Sequence, residues 1–111
     1  MLKLTPDEQT WLEAYRLVLD ERFSGLVETF LIFGSKARGD AGPDSDIDVL
    51  LVIREGDWQV KESVTHPGYE LSIGTDVVPS FVVYTKDEWE ARRKSQAPFW
   101  QTVTRDGVMV S

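Results

Sequence analysis

Residues 31–40 read LIFGSKARGD, and residues 45–50 read SDIDVL. The first stretch ends an apolar run with a Gly-Ser pair, and the second opens another apolar run with two aspartates. Short apolar runs bounded by turn residues are typical of buried strands. The two stretches therefore predict two strands, joined by a turn into a short helix over 34–39 and a loop over 41–45.

The other elements follow from patterns on either side of this region. Thr5 and Glu8 have the spacing of a capping box and begin an amphipathic helix that is predicted to end at Gly25. The further predictions are strands over 26–33, 46–53 and 77–84, helices over 57–74, 86–94 and 98–105, and an edge strand over 108–110. The helix over 57–74 is predicted to break or kink at His66-Pro67-Gly68. This order predicts an α/β (α+β) two-layer sandwich, with a small mixed sheet flanked by helices.

Composition limits the classes of function. The chain has 111 residues, with 12 Lys+Arg against 19 Asp+Glu, so its formal net charge is −7. It contains no cysteine and one histidine, which excludes disulfides, a cysteine nucleophile and a multi-histidine zinc site. The acidic balance disfavours a domain that follows long nucleic acid. The length fits one domain, residues 1–111.

Membrane and export signals are not expected in this sequence. No apolar run approaches the ~20 residues of a membrane span. The N-terminal segment turns acidic at Asp7 and Glu8, where a signal peptide would be apolar. We therefore expect a cytoplasmic domain whose metal ligands are oxygen atoms.

The Gly34-Ser35 pair stands between a predicted strand and a predicted helix. A glycine there lets the backbone approach a ligand, and the N–H groups at the start of a helix favour phosphate. The Ser35 hydroxyl adds a donor, and the Arg38 guanidinium offers a forked donor to phosphate oxygens. This segment is therefore a candidate phosphate-binding site.

Asp46 and Asp48 are two residues apart on the predicted second strand. Their side chains should leave the same face, roughly 6–7 Å apart along the strand. Mg²⁺ in proteins takes one or two carboxylates together with phosphate oxygens and water. A metal-binding carboxylate pair opposite a phosphate site is what phosphoryl or nucleotidyl transfer requires. The alternative interpretation is a solvated acidic loop that includes Asp40 and Asp44.

The pattern Gly34-Ser35-x-x-Arg38-Gly39, followed by Ser45-Asp46-x-Asp48, resembles the signature of DNA polymerase beta-type nucleotidyltransferases. The closest resemblance is to the minimal nucleotidyltransferase (MNT) domains of bacteria and archaea. It implies the polymerase beta-type fold and a magnesium-dependent transfer of a nucleoside monophosphate, AMP from ATP, to an acceptor hydroxyl.

The resemblance also implies roles for single residues. Gly34 and Ser35 would hold the triphosphate, and two positive charges would support them, Lys36 and Arg38. Asp46 and Asp48 would ligate two Mg²⁺ ions. A third carboxylate on a later strand would ligate one metal and help to deprotonate the acceptor. The acidic residue nearest such a strand is Asp76.

Three functions remain open at this point. The resemblance implies the antitoxin of a toxin–antitoxin pair, with a HEPN-domain toxin as the partner that supplies the acceptor hydroxyl. The second possibility is a catalytically degraded MNT fold that neutralises its partner by binding alone. The third is nucleotidyl transfer to a small molecule such as an aminoglycoside.

Overall fold

The computed structural model describes residues 2–42 and 45–110, so Pro43 and Asp44 of the predicted acidic loop lie outside it. Within these residues the helices and strands follow one another in the predicted order. They are α1 (Pro6–Arg22), β1 (Val27–Phe33), α2 (Gly34–Arg38), β2 (Ile47–Ile53), α3 (Trp58–Ser72), β3 (Pro79–Thr85), α4 (Lys86–Lys94), α5 (Pro98–Asp106) and β4 (Val108–Met109).

The four strands form one mixed sheet in the order β3-β2-β1-β4. Strand β2 is antiparallel to β1 and parallel to β3, and β1 is antiparallel to β4. Except for Asp48, every residue of β2 is buried. This burial on both faces explains why β2 reads as a nearly continuous run of Ile, Val and Leu.

Helices lie on both faces of the sheet. Ile47, Val49, Leu51 and Ile53 of β2 belong to the larger core, which contains the buried faces of α1 and α3. The intervening Leu50 and Val52 belong to a smaller core with side chains from α4 and α5. The predicted class, a small mixed sheet flanked by helices, is confirmed, and the helices form a layer on each face of the sheet where the prediction had two layers in all.

Helix α1 begins as predicted. Glu8 Oε1 accepts a hydrogen bond from the Thr5 N–H at 2.9 Å, and Thr5 Oγ1 accepts one from the Glu8 N–H at 3.1 Å. The helix ends at Arg22 rather than at Gly25, because the Phe23 N–H makes the last helical bond, to the Leu19 carbonyl. Gly25 belongs to the turn that follows.

Helix α3 runs without a break through Pro67, so the break, one of the two outcomes predicted at 66–68, is wrong. Proline removes one helical hydrogen bond, and in this chain tertiary contacts offset that loss. Trp11 Nε1 donates to the Gly68 carbonyl at 2.8 Å, and the Tyr15 hydroxyl donates to the Val64 carbonyl at 2.6 Å. Gly68 also allows close packing, since a Cβ there would lie 2.5 Å from Cζ of Phe81.

Strand β3 begins at Pro79, two residues later than predicted. Pro79 is the first residue of β3 in register with β2, where it pairs with Ile47. The preceding Val78 carbonyl accepts a hydrogen bond from the Ile47 N–H at 3.0 Å. Proline has no N–H to donate to a strand ladder, so it is tolerated at the first residue of a strand and disfavoured further along.

None of the described helices is long and apolar enough to cross a membrane.

Replacing Tyr15 by Phe should lower the free energy of unfolding by about 1–2 kcal/mol, because it removes a fully buried hydroxyl donor to α3. The matched control is Tyr69→Phe, since Tyr69 is 46% exposed, and its change should stay within about 0.5 kcal/mol. Urea unfolding monitored by circular dichroism measures both. Equal changes in the two variants would show that the Tyr15 hydroxyl does not hold α3 to α1.

Candidate active site

The candidate site lies where β1 ends and α2 begins. Gly34 is the first residue of α2 and has φ +75°, a left-handed conformation that glycine adopts readily. The N-cap position is Phe33, whose side chain makes no capping hydrogen bond. The N-cap side chain therefore leaves the first N–H groups of α2 without a cap from this position.

Gly34 lies directly against the carboxylate of Asp48. The register places Asp48 of β2 beside Phe33, so the residue after Phe33 turns over the Asp48 side chain. A Cβ at position 34 would overlap Oδ2 of Asp48 and would lie 3.3 Å from its Cγ. Only glycine can follow this path while the carboxylate keeps its position.

Asp46 and Asp48 flank the buried Ile47 at the start of β2. Asp46 is exposed and precedes the strand, and Asp48 is partly buried within it. Burial raises the pKa of Asp48, the Asp46 carboxylate raises it further, and the Arg38 guanidinium lowers it in part. A nearby cation would stabilise the ionised form of Asp48, which burial and the neighbouring carboxylate disfavour.

Carboxylate oxygens are the donors that Mg²⁺ prefers, and two of them suffice when phosphate oxygens complete the coordination. Asp46 and Asp48 therefore fit a magnesium–nucleotide complex better than an all-protein metal cage. Residues 2–42 and 45–110 contain no group of three or more His, Asp or Glu side chains placed to hold a metal ion.

The structure does not bring Asp76 into a three-carboxylate group with Asp46 and Asp48. Asp76 is exposed and lies three residues before the first residue of β3. The residue of β3 in register with Asp48 is Ser80. Sequence spacing alone does not indicate Ser80, because its position beside Asp48 depends on the parallel pairing of β2 with β3. The role of Asp76 as the third carboxylate remains a prediction.

The two predicted cations differ in their surroundings. Lys36 is 2% exposed, and its Nζ lies 3.0 Å from Oε1 of Glu8. Arg38 is exposed, and its Nε donates to Oδ2 of Asp40 at 3.2 Å. Arg38 also lowers the pKa of Asp106 on α5, as a weaker cause than Arg105. The positive charge of Arg38 therefore acts on the Asp48 carboxylate, whereas that of Lys36 faces Glu8.

Two residues near the site, Glu8 and Ser35, make contacts that the sequence did not indicate. Glu8 was recognised as part of a capping box, yet the same carboxylate pairs with Lys36, 28 positions along the chain. Ser35 is predicted to donate a hydrogen bond to phosphate. Its carbonyl also helps to end α2, because it accepts hydrogen bonds from the Gly39 and Asp40 N–H groups. Pairings between α1 and α2 have no signature in a single sequence.

Replacing Gly34 by Ala should destabilise the protein more than the same change at Gly74, where φ is +80°. Both changes carry the left-handed penalty of about 1–2 kcal/mol. Nothing lies within 4 Å of a Cβ at Gly74, whereas one at Gly34 would overlap Asp48. We expect a further loss of about 1–3 kcal/mol at Gly34, from overpacking. Equal unfolding free energies for the two variants would contradict the contact with Asp48.

Replacing Asp48 by Asn should raise the thermal midpoint near neutral pH in the presence of a chelator. Because the folded-state pKa of Asp48 is raised, the wild-type contribution is most favourable below the unfolded pKa and declines as pH rises through the folded pKa. The midpoint difference between variant and wild type should therefore be larger near pH 7 than below about pH 4. The exposed Asp20→Asn is the control. A pH-independent difference at Asp48 would refute this electrostatic account.

Sequence comparison relates this chain to known nucleotidyltransferases. A sequence model of the nucleotidyltransferase domain family matches residues 12–99, a span that includes α2, β2 and β3. A Methanocaldococcus jannaschii protein named "putative protein adenylyltransferase" is 31% identical over 61 residues. That alignment covers 54% of this chain and 62% of the relative, so the match spans less than two thirds of the relative's length.

One solved structure also aligns along the chain. It is the crystal structure of a "putative nucleotidyltransferase" from Sulfolobus solfataricus, with a TM-score of 0.49 and 23% sequence identity. The alignment covers 98% of this chain and 89% of that one. The family match extends over most of the sequence and contains the whole Gly34–Asp48 motif, so the chain belongs to the nucleotidyltransferase domain family.

Proposed function

We propose that this chain is a magnesium-dependent nucleotidyltransferase that transfers AMP from ATP to a hydroxyl group of another protein. The observation that carries the proposal is the placement of Gly34 against Asp48, beside Asp46, in a chain of this family. It combines an open backbone turn with two carboxylates, the pair of features that nucleotide transfer needs.

The residues of the site have three separate roles. The Gly34 and Ser35 segment binds phosphate oxygens through backbone N–H groups and the Ser35 hydroxyl. Arg38 supplies positive charge to the same oxygens. Asp46 and Asp48 would hold Mg²⁺, and the ion would neutralise charge on the bound triphosphate.

The reaction is a displacement at the α-phosphorus of ATP. The acceptor oxygen forms a bond to this phosphorus, and the bond from the phosphorus to the oxygen that bridges to the β-phosphate breaks. Pyrophosphate leaves with that oxygen, and the acceptor hydroxyl loses its proton to a carboxylate or to water. Asp76 is the predicted carboxylate for this proton.

The choice of a protein acceptor has two supports. The Methanocaldococcus jannaschii relative carries the name of a protein adenylyltransferase, although the match covers 62% of it. The motif over 34–48 also resembles that of MNT antitoxins, whose partners are HEPN-domain toxins. We therefore propose a tyrosine hydroxyl on a HEPN-domain partner as the acceptor, and an antitoxin role for this chain.

A second candidate function is neutralisation of the same partner by binding alone. It is favoured by the register of β3, which places Ser80 rather than a carboxylate beside Asp48. It is also favoured by the exposed position of Asp76 ahead of that strand. On this alternative the partner is held but not modified.

The deciding experiment incubates the protein with ATP labelled at the α-phosphate, Mg²⁺ and a HEPN-domain protein. Asp46→Asn/Asp48→Asn should reduce label transfer by about 100-fold or more, because electrostatic groups of this kind contribute ~10²–10³ in rate. The matched control is Asp20→Asn/Glu21→Gln, which removes two exposed carboxylates of α1 and should transfer label normally.

Complex formation, measured by size-exclusion chromatography, separates the two functions. Transfer that depends on Asp46 and Asp48 establishes the enzyme. A stable complex with no label transfer by the wild-type protein favours the binding-only antitoxin. Transfer that persists in the double variant would overturn the assignment of the site.

A further inference from the structure

A buried ion pair joins α1 to α2, and the proposed chemistry does not use it. Lys36 Nζ and Glu8 Oε1 are 3.0 Å apart, and the two residues are 2% and 4% exposed. The same Glu8 oxygen accepts a hydrogen bond from the Thr5 N–H at 2.9 Å. The carboxylate therefore holds both the start of its own helix and the side chain of Lys36.

Stability alone does not explain a pair of charges in this position. Removing a carboxylate and an ammonium from water costs several kcal/mol per ion, and a well-packed apolar pair of similar volume is often as stable or more so. What a charged pair adds is direction, because a charge-assisted hydrogen bond restricts the distance and angle between its groups. A directional contact matters where a small displacement would alter function.

Helix α2 is such a place. It has five residues, and it begins at Gly34, whose backbone lies against the Asp48 carboxylate. A small rotation of α2 would move the N–H groups at its start and the guanidinium of Arg38 together. Without further anchors, so short a helix would be held mainly by its neighbours in sequence.

Three contacts within residues 36–37 anchor α2 from the side of α1. The Lys36 ammonium binds Glu8, and the Lys36 carbonyl accepts a hydrogen bond from the Lys3 N–H at 2.9 Å. The next residue, Ala37, is 2% exposed in the larger core. The N-terminal segment also lines a cavity of about 220 Å³ with Lys36, Ala41 and Gly42, so the loop that leads towards Asp46 borders this anchor.

We infer that Glu8 and Lys36 are positioning residues for the nucleotide: their buried ion pair orients α2 so that the Gly34-Ser35 turn and Arg38 face the triphosphate. This inference rests on the proposed function and deepens it, since it gives Glu8 a part in nucleotide binding without contact. It also assigns Lys36 an indirect action, through Glu8, instead of direct contact with phosphate.

The test replaces the pair by apolar residues of similar length, Glu8→Met/Lys36→Met. The chain offers a closely matched control in Lys61→Met/Glu88→Met. Glu88 also completes a capping box, with Thr85, and also pairs with a lysine of another helix, Lys61, at 2.6 Å. Both control residues are more exposed than the pair under test, and they lie near the opposite end of β3 from Ser80.

Isothermal titration with MgATP measures the dissociation constant of each protein, below the unfolding midpoints determined by circular dichroism. Glu8→Met/Lys36→Met should weaken MgATP binding by about 10- to 100-fold while the protein stays folded, since small misplacements of positioning groups have effects of this size. The control should bind within about twofold of the wild type. Unchanged affinity in Glu8→Met/Lys36→Met would overturn the inference.

Glu8→Gln separates positioning from direct contact. If Lys36 acts through Glu8, this variant weakens MgATP binding; if Lys36 touches phosphate itself, releasing it from Glu8 leaves binding unchanged or tighter and overturns the inference. If the single variant does not fold, the double variants decide the question. Failure of the wild-type protein to bind MgATP would instead refute the proposed function, so the two failures are distinguishable.

Discussion

The contact between Gly34 and the Asp48 carboxylate is the constraint on which the site depends. It requires the antiparallel register that places Phe33 beside Asp48, and it requires a residue without Cβ at the turn. The same register brings the last residue of β1 next to the start of β2, at one end of these two central strands. The turn proposed to bind phosphate and the carboxylate proposed to bind metal become neighbours as a direct result of this pairing.

The site is assembled from groups that are unfavourable by themselves. Asp48 is partly buried next to Asp46, and burial and this like charge both raise its pKa. Lys36 and Glu8 are almost fully removed from water, at the cost of their hydration. Gly34 occupies a backbone conformation that most residues avoid. Such features cluster at functional sites, and here they occur in α2, at the start of β2 and in the part of α1 that contacts α2.

Much of the fold could be predicted from the sequence because the signals are local. The capping box of Thr5 and Glu8, the apolar run of β2 and the Gly34-Ser35 turn each depend on residues close together in the chain. The continuous helix at Pro67 could not be predicted in this way, because Trp11 and Tyr15 stabilise it from another helix. Predictions failed where a distant partner changes what a local pattern favours.

The same distinction applies to the site. The motif indicated Gly34, Asp46 and Asp48, and the structure places Gly34 against Asp48 and Asp46 beside it. The environment of Lys36 depends on a carboxylate 28 positions away, and the neighbour of Asp48 on β3 depends on a parallel pairing. A single sequence carries neither fact. Asp76 remains a prediction, since its role depends on how the acceptor approaches.

Nucleotidyl transfer moves the α-phosphate of ATP together with its nucleoside, whereas phosphoryl transfer moves the γ-phosphate. The most direct measurement compares ATP labelled at the α-phosphate with ATP labelled at the γ-phosphate, in the presence of Mg²⁺ and a HEPN-domain protein as acceptor. Our account predicts that the acceptor gains label from α-labelled ATP and none from γ-labelled ATP, with release of pyrophosphate. Transfer of the γ-label would contradict nucleotidyl transfer and would show instead that the site moves a phosphoryl group.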